Sequence, residues 1–423
     1  MSASRGRPGG GNTRPGQPGA RRGRGAAAPR RESRADFFAP ILAACEPIAD
    51  LDTALDAELA VSALLGGAYA AADEDRAGAV ARFCDDLIDE LSDRDDALSG
   101  ALLAGLAGVA PPDARERAAE LLADRSGPAW APAVGAVTCT GAWAMSDVYG
   151  DQTEYILAFD YADAKLGGPA HAVCVLVDFN LGIVKDCWAS LHPDGILADC
   201  RKSAAEDEDL LLAEVDPGTV GVRVAGLFAA TDRLETLPEA QGLAEERSVV
   251  LARLSALPVS APAPAATPAD LAEIVEDFLA SPEGTLDGAP REVVDACARL
   301  VVEYSLAEHR ADPLRWSPVA VELFLLDWAP RSAVIDEECT RWLPTVLIAF
   351  VTYAGHRSGL PERAVQATQD AVSEHIPAFA ESMVGADTEH VTAAQVARSM
   401  IADGVDPTDN AAVRAWLDAH MRP

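Results

Sequence analysis

From Tyr149 to Ser190 the chain abandons the helical spacing that governs most of its length. That stretch limits the fold to helical blocks built around a short sheet. TEYILAF (153–159), HAVCVLV (171–177) and GIVKDCWA (182–189) are rich in β-branched and aromatic residues and are separated by the turn signals DVYGDQ, DAKLGGP and DFNLG. GAVTCT (135–140) and LLLAEV (210–215) extend the sheet on either side. HAVCVLV is apolar at nearly every position, the pattern of a central strand covered on both faces.

The flanks are helical. Between residues 36 and 129 the stripes Leu59, Val61, Leu64, Leu65, then Val80, Phe83, Leu87, Leu91, then Leu102, Leu103, Leu106, Val109 predict a helical bundle. Pro111-Pro112 ends the third helix and starts another. Residues 130–257 form the sheet block, with helices opening at Asp216-Pro217 and running from about Leu243 to Leu257. PVSAPAPAAT (258–267) is a Pro/Ala linker. Residues 268–423 read as an all-α domain, in which Ser317 caps a helix with Pro318 in its first turn. The expected fold class is therefore α+β: a helical bundle, a central mostly antiparallel sheet block with helices, and an all-α carboxyl-terminal domain. Residues 392–417 have a faint helix-turn-helix spacing, but the turn is too long and Asp403, Asp406 and Asp409 would face phosphates.

Charge is unevenly placed. Nine arginines against the single acid Glu32 give residues 1–35 a charge of +8, so the remaining body carries −41 and the whole chain −33. A body that acidic repels phosphate backbones. The Gly/Pro/Arg arm has almost nothing to bury and is expected to be disordered. It reads either as an RGG-like arm that contacts nucleic acid or another acidic partner, or as a solvated tail that lies on its own acidic body. It has no aromatic residue on which a base could stack.

No apolar run approaches the roughly 20 residues needed to span a bilayer, so no membrane partner is expected. The basic start is followed by no signal-peptide core, which makes a cytoplasmic location the expectation. The eight cysteines stand singly in apolar surroundings, without a C-x-x-C pair, and read as small buried hydrophobes; zinc is not implied.

The sheet segment holds the densest polar set: Asp151, Glu154, His171, Asp178, Asn180, Lys185 and Asp186. With 179–182 as a hairpin loop, Asp178 faces Ile183, Leu176 faces Lys185, Cys174 faces Cys187 and His171 faces Ser190. Strand parity then puts His171 and Asp178 on opposite faces. Asp186 shares the His171 face opposite Val175, but four residues along the strand, roughly 13 Å at about 3.3 Å per residue, is too far for proton transfer. Turn-making explains Asp178 and Asn180 without a ligand. Asp147, Asp151 and Glu154 offer oxygens to a hard cation, but the EF-hand spacing is missing, so neither metal nor cofactor is expected. The sequence contains no nucleophile elbow, P-loop, dinucleotide fingerprint after a strand or H-E-x-x-H.

The runs YGDQTEYILAFDY, HAVCVLVDFNLGIVKD and WSPVAVELFLLDWAPR resemble a set found in uncharacterised actinobacterial proteins, over about residues 36–423. The resemblance implies a helical start, a short β segment and a helical end, and brings no activity with it. The first expectation is a non-enzymatic interaction or regulatory protein, with a protein or polyanion as partner. The second is a hydrolase-like or small-molecule-binding protein using the β block, with His171, Asp178, Lys185 and Asp186 as catalytic candidates.

Overall fold

A computed structural model describes residues 34–240, 242–260, 268–307, 312–332 and 336–384, with positions 414 and 416. The basic arm up to residue 33, most of the Pro/Ala linker and nearly all of 392–417 lie outside the described residues.

Arg34 and Ala35, assigned to the arm from sequence, begin the first helix. Helices α1 (Arg34–Cys45), α2 (Ala54–Ala70), α3 (Arg76–Ser92), α4 (Ala97–Val109) and α5 (Pro112–Ala123) make the amino-terminal bundle. Their starts are chemically marked: the Thr53 hydroxyl accepts the Asp56 N–H before α2, and Asp96 and Ser99 form a reciprocal capping box before α4.

Five strands follow: β1 (Val137–Asp147), β2 (Gln152–Tyr161), β3 (His171–Asp178), β4 (Ile183–Ser190) and β5 (Leu210–Glu214). They pair antiparallel in the order β4-β3-β2-β1-β5. The fold is α+β, as the alternation of patterns implied. Short α6 (Ala164–Gly167) joins β2 to β3, α7 (Pro193–Glu206) leads into β5, and α8 (Pro217–Thr231), α9 (Gly242–Glu245) and α10 (Arg247–Ser255) complete the block.

β3 is covered on both faces. Val173, Val175 and Val177 join Leu55, Val61, Leu65, Leu102 and Val250 in one hydrophobic core, so bundle and sheet share a single interior. Ala172 and Cys174 on the other face pack with Ile156 and Cys200, the latter on α7. Where α2 meets α9 the approach is close: a Cβ on Gly66 would lie 2.5 Å from the Ala244 carbonyl oxygen, and only glycine fits.

The β3–β4 hairpin departs from the expected register. Asp178 does face Ile183, but a bulge at Lys185 shifts the pairing, so Leu176 faces Asp186, Cys174 faces Trp188 and Ala172 faces Ser190. An extra residue in one strand reverses the side-chain alternation beyond it. Cys174 and Cys187 are thus not cross-strand neighbours: Cys174 lies in the outer cluster, Cys187 in the main core.

The second core belongs to α11 (Pro268–Ala280), α12 (Arg291–Ala307), α13 (Pro318–Glu322), a π-helical stretch (Leu323–Trp328), α14 (Ala329–Ser332), α15 (Glu337–Ser358) and α16 (Glu362–Val384). Its centre is aromatic: Phe278, Tyr304, Trp316, Phe324, Trp328 and Phe350 touch one another in tilted, edge-to-face and, for Phe324 and Trp328, stacked pairs. Ser317 caps α13 as expected, accepting the Ala320 N–H. The two cores meet at the turn end of the sheet. There Arg315 reaches Asp151, the Tyr149 hydroxyl donates to the Ala364 carbonyl at 3.2 Å, and Arg363 pairs with Asp209.

Candidate functional site

The polar residues of the sheet segment divide among three places. At the turn end, an open groove of about 500 Å³ runs between the hairpin ends and α13. Met145, Leu176, Leu210 and Val319 give it an apolar lining, and Asp147, Asp151, Glu154 and Asp178 border it.

The carboxylates there are largely committed. Asp147 accepts the N–H groups of Tyr149 (2.8 Å), Asp151 (3.2 Å) and Gln152 (2.7 Å), which closes the β1–β2 turn. Asp178 does the same for Asn180 and Leu181 at 2.9 and 3.0 Å, and Gly182, at φ +67, completes that turn. Asp151 receives Arg315 Nη1 at 2.7 Å, while the same guanidinium donates to Asn180 Oδ1 and the Phe179 carbonyl. Burial pushes the Asp151 carboxyl above its ordinary range, against the opposing pull of Ser317, Asn180 and Arg315.

Glu154 is the less committed acid. It sits opposite Met145 and Leu176 on the α7 face, and burial raises its carboxyl. The Cys174 thiol beside it is raised by burial and then by Glu154, so it stays protonated, the reverse of an activated nucleophile. Among the described residues no group of three or more metal-ligating side chains gathers.

His171 lies elsewhere, fully buried where sheet meets bundle. Its Nε2 accepts Arg253 Nε at 2.8 Å, which leaves the proton on Nδ1, directed at the Pro169 carbonyl 3.4 Å away. Arg253 also donates to the Tyr161 hydroxyl at 2.7 Å and forms an ion pair with Glu58. Tyr161 donates to Glu58 Oε2 at 2.6 Å, and Glu58 Oε1 accepts the Gly135 N–H at 2.8 Å. Every member of this network has its partner, as burial requires.

Burial and the neighbouring Arg253 charge lower the His171 pKa from 6.5 to about 4. Between those values the unfolded chain binds more protons than the folded one. The stability this group contributes is therefore fully present above pH 6.5 and is lost as pH falls toward about 4. His171→Gln is expected to flatten the pH dependence in that window by up to about 3 kcal/mol. Urea unfolding at several pH values checks this, and parallel profiles for variant and parent would refute it.

Lys185 and Asp186 separate at the bulge. Lys185 Nζ lies 3.9 Å from Asp178 Oδ2 at the groove's edge. Asp186, placed from sequence on the His171 face opposite Val175, is opposite Leu176 instead. Its carboxylate accepts the Cys187 N–H and bonds the backbone of Leu243 at the start of α9. Of the four catalytic candidates, Asp178 and Lys185 thus meet at the groove's edge, while Asp186 and His171 lie in two other places, and His171 shares no cleft with Asp151 or Glu154.

No family model, curated protein or solved structure matches the chain.

Arg315, Arg253, Glu58 and Tyr161 were not singled out by the sequence. Glu58 and Arg253 did leave a trace: each interrupts an apolar helical stripe, Glu58 between Leu55 and Val61, Arg253 between Val250 and Leu257. A charge on a core-facing position implies a buried partner. Arg315 left none.

Proposed function

We propose that this chain is a non-enzymatic interaction protein of the cytoplasm, in which an acidic body with two cores presents a basic Gly/Pro/Arg arm to a polyanion. The observation that supports this most is the commitment of the candidate polar set: Asp147 and Asp178 to turns, Asp151 to Arg315, His171 to Arg253, and Asp186 to backbone. Acids and bases so engaged hold structure together and leave no nucleophile, base and orienting group at one point. Kinship with the actinobacterial set belongs to the same proposal. So does the reducing compartment, with which eight free cysteines agree.

The arm accounts for the charge asymmetry. Its last arginine, Arg34, pairs with Asp89 at 2.8 Å and Glu90 at 3.6 Å on α3, which leaves eight for a partner. The full chain is expected to bind heparin or single-stranded DNA with a steep salt dependence, log K falling by about 0.7 per tenfold rise in salt for each phosphate neutralised on a single strand. A chain lacking residues 1–33 should lose that binding. Equal binding by both chains overturns the proposal.

One observation favours a second reading, a small-molecule site in the groove: its size is that of a ligand pocket, and Glu154 faces it with a burial-raised carboxyl. Saturable small-molecule binding that is lost in Glu154→Gln, with polyanion binding indifferent to the arm, would transfer the assignment to that reading.

A further inference from the structure

A second cavity, of about 260 Å³, opens on the far side of the shared core, between the start of α3, the α4–α5 junction and one face of α10. In a chain of net charge −33, its polar wall is cationic. Arg115 and Arg247 both line it, and no side-chain carboxylate does.

Arg115 has no salt-bridge partner among the described residues. Its contacts there are the Ala110 carbonyl at 3.3 Å and the Ser255 hydroxyl at 3.4 Å, both long. Burial lowers its pKa, opposed by the Glu58 carboxylate, which Arg253 already pairs. Arg247 is committed on one side only. Its Nε and Nη2 clasp Asp232, which also accepts the Tyr69 hydroxyl, while its Nη1 has no hydrogen bond among the described residues.

Ser248 is an independent sign. It is 7% exposed, it lines the cavity, and its hydroxyl has no hydrogen-bond partner among the described residues. The hydroxyl therefore opens into the cavity, where solvent or a bound ligand can bond it. Helix α5 begins at the same wall with Pro111-Pro112 and no side-chain cap, so its amino-terminal dipole adds positive potential. The rest of the wall is apolar, with Val80, Val109 and Leu251.

We propose that this cavity binds a small organic carboxylate, its oxygens between Arg115, Arg247 Nη1 and the Ser248 hydroxyl, and its hydrocarbon part against Val80, Val109 and Leu251. A planar carboxylate matches the fork of a guanidinium. Because Asp232 already balances Arg247, Arg115 is the one unbalanced cation on the wall, which suits a monoanion better than a phosphate dianion. The volume limits the hydrocarbon part to a few carbons or one ring, below the usual size of a drug-like pocket. The site lies apart from the groove and does not depend on what the arm binds.

The test is calorimetric titration of the full chain with hexanoate, benzoate, benzamide and inorganic phosphate. Saturable binding of a carboxylate is expected, with benzamide and phosphate inert. Arg115→Gln should weaken it by about tenfold or more, since a hydrogen bond to a charged group is lost. Ser248→Ala, which removes one oxygen from a helix, should weaken it less and leave the far-ultraviolet spectrum unchanged. Binding of neither carboxylate, benzamide binding as tightly as benzoate, binding of phosphate alone, or carboxylate binding undiminished in a folded Arg115→Gln chain would each overturn the proposal.

Discussion

Arg253→Met is expected to remove about 3–5 kcal/mol from the unfolding free energy of the core shared by bundle and sheet. The substitution keeps most of the side chain's volume and deletes its charge. Glu58, fully buried, is then left with Tyr161 and the Gly135 N–H as donors and no cation, and His171 Nε2 loses its donor. An uncompensated buried carboxylate is what makes breaking such a pair so much costlier than never having had it. Adding Glu58→Gln should restore a good part of the loss, because a neutral amide needs no cation and still offers its oxygen to Gly135. Urea denaturation of the two single variants and the double variant gives the coupling directly. A single variant within about 1 kcal/mol of the parent would show that the pair carries little of the core.

Arg315→Met should act on a different part of the molecule. Arg315 is the guanidinium that ties the aromatic core to the hairpin ends, through Asp151, Asn180 and Phe179. With both side chains of the ion pair about nine-tenths buried, its loss is expected to cost about 2–4 kcal/mol and to split unfolding into two steps, one for each core. Amide exchange should quicken at 147–152 and 178–182 while the centre of β3 stays protected. The loss should also depend on pH. Burial already raises the Asp151 carboxyl, so without Arg315 the cost is greatest near neutrality and shrinks as pH falls and the acid takes a proton. A single cooperative transition with unchanged exchange at both turns would remove Arg315 from this role.

What the sequence revealed followed from what is local. β3 was readable because seven consecutive residues are nearly all apolar, and its burial on both faces follows from that run alone. Asp178 and Asn180 were readable as turn-makers because their bonds reach two or three residues along the chain. The bulge was not readable: Lys185 is displaced by the demands of both faces at once, with Val184 and Cys187 needed in the main core and Trp188 in the outer one. One displaced residue moved Asp186 off the His171 face and separated Cys174 from Cys187. The buried network and the Arg315 link were hidden for a simpler reason. Their partners lie 195 and 164 positions apart, and no spacing rule reaches that far.

The sharing of one interior by bundle and sheet bears on how the chain is made. A ribosome delivers α2 long before α10, so Glu58 leaves the exit tunnel about two hundred residues ahead of the arginine that neutralises it. Until residues 247–255 emerge, the apolar faces of α2 and α4 that pack against α10 have nothing to close on, and the early helices form a partial product. The carboxyl-terminal core draws its residues from 271–379 and can complete itself as it appears. For this protein the vulnerable interval of synthesis falls in the first 255 residues, and the arrival of Arg253 ends it.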